Sequence, residues 1–377
     1  MTAPLAASGS TPARGPYIAE LDAFRAIAVL WVLVHHAIYG WSSEAQTALL
    51  NSLPNALTFV LSRGWLGVDL FFVLSGFLIT GILLDTQRAA HYWKNFYGRR
   101  ALRILPIYLL VVVVCAFAYT NHTAYFALSA AMLANLAGLF GVGIPHGPGV
   151  FWSLAVEEHF YLLWPLMVRL LSRTALTALG IALVTCIPVA RAIAAARGMD
   201  IENEIYVLSW FRFDGLALGA LLAIWVRSAA CTRKTSLWLV AGLIGLAALV
   251  TVIGWPYGLM GTKTVAAAGF RYTQVQLLFG AAILAAVALR DTPWTALLKL
   301  WPIRITSEYS YCIYLIHLSL GDAYMHFFGP RSAYAIADGT LTALGLRLAA
   351  ILIASYVLAA ISYRWIEKPC LALKRYF

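Results

Sequence analysis

The sequence reads as an all-α polytopic membrane helical bundle, with about ten transmembrane helices and one further re-entrant or interfacial segment. Three observations lead there. The 377 residues are 62% hydrophobic and 11% charged, where soluble domains carry roughly 45–50% apolar and 25% charged residues. Apolar runs of about 17–23 residues, the length a helix needs to cross hydrocarbon, recur from residue 21 to residue 361. Most of the 27 lysines and arginines gather at alternate ends of those runs, as the positive-inside bias demands.

The runs follow in order. The first, 21–40, is interrupted by Arg25, His35 and His36. The second, 65–85, carries Asp69 and Ser75 among the small residues Gly64, Gly67 and Gly76. The third, 101–119, follows Arg99 and Arg100 and has Arg103 in its first turn, and the fourth, 150–168, holds Glu157, Glu158 and His159 in an aromatic stretch. Runs 175–192 and 236–254 are apolar nearly throughout, and 206–226 between them holds Arg212 and Asp214. Run 273–289 is the eighth, 309–327 has His317 about midway, and 341–363 carries Arg347.

With a cytoplasmic N-terminus, ten crossings place Arg63, Arg191, Arg197, Lys263, Arg271 and Arg331 outside, Arg25, Arg212 and Arg347 within spans, and the other basic residues inside. A further apolar stretch, 125–140, would send Arg169, Arg173, Arg227, Arg233, Lys234 and the basic C-terminus outside if it crossed, so it is read as re-entrant or interfacial. Topology thus accounts for the net charge of +11, and no nucleic-acid partner is needed. Residues 1–16 read as a cytoplasmic tail without the pattern of a cleavable signal, and 17–377 as one membrane-embedded domain. Both termini are expected in the cytoplasm, with the protein in the cytoplasmic (inner) membrane. The five cysteines have no metal spacing, and no metal site is expected.

Ionisable residues inside hydrocarbon are costly, which makes each set a functional hypothesis. From Arg25 to His36 is eleven residues, three turns plus roughly 20°, so both share a helix face about 16 Å apart. His36 is a candidate general base; packing by a hydrogen bond to another helix is the alternative. Asp22, three residues before Arg25, can pair with it. Asp69 falls at about the depth of His36, beside glycines that permit close helix approach. Arg100 and Arg103 share a face, and their planar forks suit phosphate oxygens, although on charge alone a membrane anchor accounts for them better. Glu157 and Glu158 reach the outer half beside His36, where a carboxylate can orient an imidazole; helix-to-helix salt bridging is the alternative. Arg212, Asp214, His317 and Arg347 read individually as pairing partners. Together these groups suggest a polar cavity running from a basic inner mouth to a histidine and carboxylate cluster near the far side.

In this order the motifs resemble the acyltransferase 3 family of integral membrane O-acyltransferases, in its stand-alone form without a fused periplasmic esterase-like domain. The carrying residues are Leu21-Asp22-Ala23-Phe24-Arg25 through His36, Gly67-Val68-Asp69 through Ser75-Gly76-Phe77, and Arg100-x-x-Arg103 with Ile104-Leu105-Pro106. Trp152-Ser153-Leu154 with Glu157 and Phe160-Tyr161, Ser310-Tyr311 through His317, and Arg364-Trp365-Ile366-Glu367-Lys368-Pro369 complete the set. The resemblance implies transfer of an acyl group, commonly acetyl, from cytoplasmic acyl-CoA to a hydroxyl of a carbohydrate, a lipid-linked sugar or a macrolide-type acceptor. It implies His36 as the essential residue, Arg25 as its partner, and Arg100 and Arg103 as acyl-CoA contacts. Ala155 and His159 stand where many members have serine and glutamine, which marks His159 as a candidate acceptor contact.

The resulting expectation is an acyl-CoA-dependent enzyme with acetyl-CoA as co-substrate and no permanently bound cofactor. His36 acts as general base or acyl carrier, and Asp69 and Glu157 orient the imidazole or the acceptor. His35, Ser75, Trp152, Ser153, Glu158, Arg212, Asp214 and His317 are candidate substrate contacts. The rival is a proton-coupled transporter using the same buried charges.

Overall fold

The computed structural model describes residues 18–42, 44–290, 292–333 and 340–377; the expected tail, 1–16, lies outside the described residues. Among them there is no strand. Each of the ten apolar runs is a helix: α1 (Glu20–Tyr39), α2 (Gly67–Thr86), α3 (Tyr92–Ala118), α4 (Phe151–Leu170) and α5 (Arg173–Ala196). The second half comprises α6 (Phe213–Val226), α7 (Arg233–Gly254), α8 (Tyr272–Ala288), α9 (Trp301–Phe328) and α10 (Leu341–Ser362). Hydroxyl caps set several starts: the side chain of Ser172 accepts from Ala175 N, Thr340 from Ala343 N, and Thr232 with Thr235 form a reciprocal box.

Among the described residues seven helices are long and apolar enough to cross a membrane, or eight if a bent pair is one span. The three that fall short are α4 and α9, whose apolar residues are interleaved with polar ones, and α6, with 14 residues. The chain is therefore a multi-pass helical bundle. The bent pair is Thr120–Ala130 and Ala134–Phe140, which meet at 119°. Met132 turns between them with a left-handed φ of 59°. Neither arm alone approaches the roughly 20 residues of a crossing, in keeping with a re-entrant or interfacial hairpin. Its Tyr125 hydroxyl donates to Pro148 O at 2.8 Å, tying the hairpin to the turn that starts α4.

α1 packs against α2, α9 and α10, and α2 against α6. Glycines set the closest approach. A Cβ at Gly76 would stand 1.9 Å from Leu216 O, and one at Gly219 would stand 2.0 Å from Val73 O, so α2 and α6 meet backbone to backbone. Burial follows from this: 78% of the apolar window of α2 is covered, against 11% for the peripheral α7. Arg347 on α10 completes the frame. It donates to Ala37 O at 2.7 Å, Ile38 O at 2.8 Å and Trp41 O at 3.2 Å, satisfying the orphan carbonyls at the end of α1 just beyond His36.

Candidate active site

His36 sits in the last turns of α1 with Nδ1 2.9 Å from His317 Nε2 on α9. His317 Nδ1 lies 2.8 Å from the carbonyl of Tyr314, one turn earlier on the same helix. A carbonyl only accepts, so His317 Nδ1 carries a proton, and its neutral ring presents Nε2 as an acceptor. His36 Nδ1 must then donate, which leaves His36 Nε2 as an unprotonated lone pair. His35 is tied differently: its Nδ1 donates to Leu61 O at 3.0 Å. Gly64 makes this possible, since a Cβ there would stand 2.4 Å from the Cβ of His35.

Both histidines line a cavity of about 530 Å³. Its other walls include Trp65, Trp152, Tyr206, Tyr272 and Tyr314, with Arg63, Glu202 and Arg271 among the charged groups. Trp152 and Tyr206 pack with centroids 4.7 Å apart and ring planes inclined by 52°. Ser153, beside Trp152 on α4, shares a 2.6 Å hydrogen bond with the Tyr314 hydroxyl.

At the opposite end of the bundle a second cavity, about 700 Å³, is lined by Asp22, Arg25, Asp85, Arg227, Arg233 and Arg290 among others. The two cavities share no lining residue. Arg25 is 3.9 Å from Asp22 and within electrostatic range of Arg100 and Arg103. The Arg100 guanidinium stacks 3.8 Å from the Tyr161 ring centroid, and its Nε is buried without a hydrogen-bond partner. Between the two ends, Ser75 donates to Glu157 at 2.8 Å and Tyr161 donates to it at 2.9 Å. Ser75, Glu157 and Glu158 are partly buried, and none of them lines either cavity.

The structure brings some of the sequence-derived residues together and separates others. His35, His36 and Trp152 line one cavity, His317 and Ser153 back it, and Arg25, Arg100 and Arg103 cluster at the other end. Glu157 is not beside His36. It lies four residues beyond Ser153 on α4, about 6 Å deeper along the axis, where its partners are Ser75, Tyr161 and the charge of Arg100. Glu158 keeps the same company, within electrostatic range of Arg100. Arg25 makes no hydrogen bond to His36 among the described residues; it belongs to the arginine cluster. The residue that orients His36 is His317, which the sequence had placed among substrate contacts and pairing partners.

Asp69 is likewise engaged elsewhere. Its Oδ1 accepts from Arg212 at 2.6 Å and from Gln276 at 3.0 Å. Asp214 pairs with Arg191 at 2.8 Å and accepts from Thr273 at 3.1 Å. All four charged side chains are 0% exposed. They form two buried ion pairs that, with Gln276 and Thr273, tie α2, α5, α6 and α8 together, so Asp69, Arg212 and Asp214 brace the wall. Arg212 does so directly, stacked 5.1 Å from Tyr206 and 4.4 Å from Tyr272. His159 shares a 2.6 Å hydrogen bond with Ser209 Oγ and does not line the cavity.

Sequence reasoning missed Arg191, counted as an outside cation although it sits three residues after Pro188 inside an apolar helix. It missed Arg63, Arg271, Tyr206 and Tyr272 as cavity walls as well. These come from three separate segments, and nothing local in any of them signals that they converge.

The peptidoglycan O-acetyltransferase OatA of Listeria monocytogenes is 26% identical over 94% of this chain and 56% of its own length. The O-acetyltransferase OatA of Staphylococcus aureus is 28% identical over 94% of this chain and 57% of its own. The chain thus spans just over half the length of these relatives. No solved structure matches it. A membrane bundle of this helix order, with a histidine pair at one end and an arginine cluster at the other, is matched over residues 18–364 by the family described as the acyltransferase domain, and the chain belongs to that acyltransferase 3 family.

Proposed function

We propose that the protein is a membrane O-acyltransferase that passes an acyl group, acetyl first, from cytoplasmic acyl-CoA to a glycan hydroxyl. The carrying observation is His36 Nε2, an unprotonated lone pair on the wall of a cavity at the end of the bundle opposite the arginine cluster. The positive-inside bias sets the arginine end towards the cytoplasm and the His36 cavity towards the far face of the cytoplasmic membrane. Arg25, Arg100 and Arg103 suit the phosphates of CoA. The roughly 16 Å of α1 between Arg25 and His36 is of the order of an extended pantetheine arm, which passes the Ser75–Glu157–Tyr161 layer.

In the direct route, His36 Nε2 takes the proton of the acceptor hydroxyl as its oxygen attacks the thioester carbon. The tetrahedral intermediate expels the CoA thiolate, and the proton on Nε2 passes to that sulfur. Charge balances at each step, and His317 holds the ring throughout. In the covalent route Nε2 attacks the thioester carbon and expels the CoA thiolate, forming an acyl-imidazolium; the acceptor oxygen then takes the acyl group, its proton passing to the thiolate as Nε2 is released. The carbohydrate acceptor is supported by the aromatic cavity walls and by the peptidoglycan named for the Listeria relative.

Sided vesicles test this reading. Labelled acetyl-CoA supplied only to the arginine face, with a glycan only at the other, is expected to give labelled glycan. Acceptor flux with no transferred label would instead favour a transporter.

A further inference from the structure

We propose that the His36 cavity selects an anionic glycan: a sugar ring bearing a carboxylate or phosphate, with Arg271 reading the charge and Trp65, Trp152 and Tyr206 the ring. This rests on the reading of that cavity as the acceptor site. It adds the chemistry that the acceptor must carry.

Four arginines are buried among the described residues: Arg191, Arg212, Arg271 and Arg347. Three are compensated. Arg191 has Asp214, Arg212 has Asp69, and Arg347 grips three carbonyls at the negative end of the α1 dipole. Arg271 is different. It is 7% exposed, forms no ion pair among the described residues, and donates Nη1 to a single carbonyl, that of Gly261. Among the described residues its Nε is buried with no hydrogen-bond partner, as are Nε and Nη1 of Arg212, but only Arg212 has a carboxylate beside it. A buried guanidinium without a counter-charge is unfavourable unless something supplies one.

What it faces is the cavity. Arg271 lines it, with its guanidinium 4.9 Å from the Trp65 ring centroid and 5.4 Å from that of Tyr272. Arg63, on the same wall, lies within electrostatic range of Arg271 and also has no ion pair among the described residues. Glu202 is the only carboxylate on the described cavity wall. Two like charges beside one another, flanked by aromatic faces, fit a ligand that is apolar on its C–H faces and anionic at one substituent. A pyranose with an acidic group has that form. The planar fork of Arg271 suits either carboxylate or phosphate oxygens.

Isothermal titration of the full-length protein in detergent tests this without any acyl donor. The probes are a neutral β-linked N-acetylglucosamine oligosaccharide, the same backbone with one carboxylate substituent, and the same with one phosphate monoester. Either charged glycan is expected to bind about tenfold tighter than the neutral one, and the stronger of the two identifies the group. In Arg271→Gln, checked for folding by thermal melt, that advantage is expected to shrink towards unity, and Arg271→Lys should retain part of it. Equal binding of neutral and charged glycans by the wild type overturns the proposal, as does failure of all three to bind. An unchanged advantage in folded Arg271→Gln does the same. Because titration needs no transfer, loss of the acyltransferase reading would appear separately, as charged-glycan binding without any labelled product.

Discussion

His317 Nε2 stands 2.9 Å from His36 Nδ1, joining α9 to α1 across 281 residues of sequence. This contact, with the Tyr314 carbonyl behind it, leaves Nε2 as the unprotonated nitrogen of His36. In the proposed transfer, with His36 as base, His317 is its positioning residue. In His317→Ala the ring loses its acceptor and its fixed orientation, and kcat should fall roughly 10- to 100-fold with little change in KM for either substrate. His317→Gln offers an amide oxygen to the same Nδ1–H and should recover part of the loss. A KM effect without a kcat effect would assign His317 to substrate binding instead.

Arg100 and Arg103 separate the two ends of the reaction. Arg100→Gln removes a guanidinium stacked on Tyr161, and the expected result is a KM for acyl-CoA raised about tenfold or more with KM for the acceptor unchanged. Initial-rate kinetics with each substrate varied in turn provide the check.

The Asp69–Arg212 pair should matter for folding more than for chemistry. Both side chains are fully buried, so Asp69→Ala leaves an uncompensated charge and should cost about 3–5 kcal/mol. Asp69→Asn with Arg212→Gln removes both charges and should recover a good part of it. A double-mutant cycle followed by thermal melting measures the coupling.

Gly76→Ala forces a Cβ to within 1.9 Å of Leu216 O. The α2–α6 contact must then open, at an expected cost of about 1–3 kcal/mol. Gly219→Ala should behave alike, whereas Gly242→Ala, with open space around it, should not. Comparing the three melting temperatures checks the glycine contact itself.

The sequence made the helices legible because hydrocarbon imposes length and apolarity on each of them; all ten runs are helices, including α4, α6 and α9, where polar content or shortness weakens the signal. Charge alone argued against a crossing at 125–140, which would have inverted every later loop, and the chain there bends by 119°. Depth along one helix was also readable, and it set Arg25 and His36 at opposite ends of α1. Pairing between helices was not. Depth cannot tell whether Asp69 faces His36 or Arg212, because that depends on helix rotation, and rotation here is set by the Gly76 and Gly219 contacts. The cavity wall was hidden for a related reason: Arg63, Tyr206 and Arg271 meet only once three separate segments fold over the end of the bundle.

The central claim is that His36 Nε2 performs the transfer, and single-turnover transfer of labelled acetyl from acetyl-CoA to a glycan by His36→Ala tests it most directly. With folding confirmed by thermal melt, the account predicts a rate reduced about 10²- to 10⁴-fold relative to wild type. A His36→Ala protein that transfers label within a few-fold of the wild-type rate would contradict it.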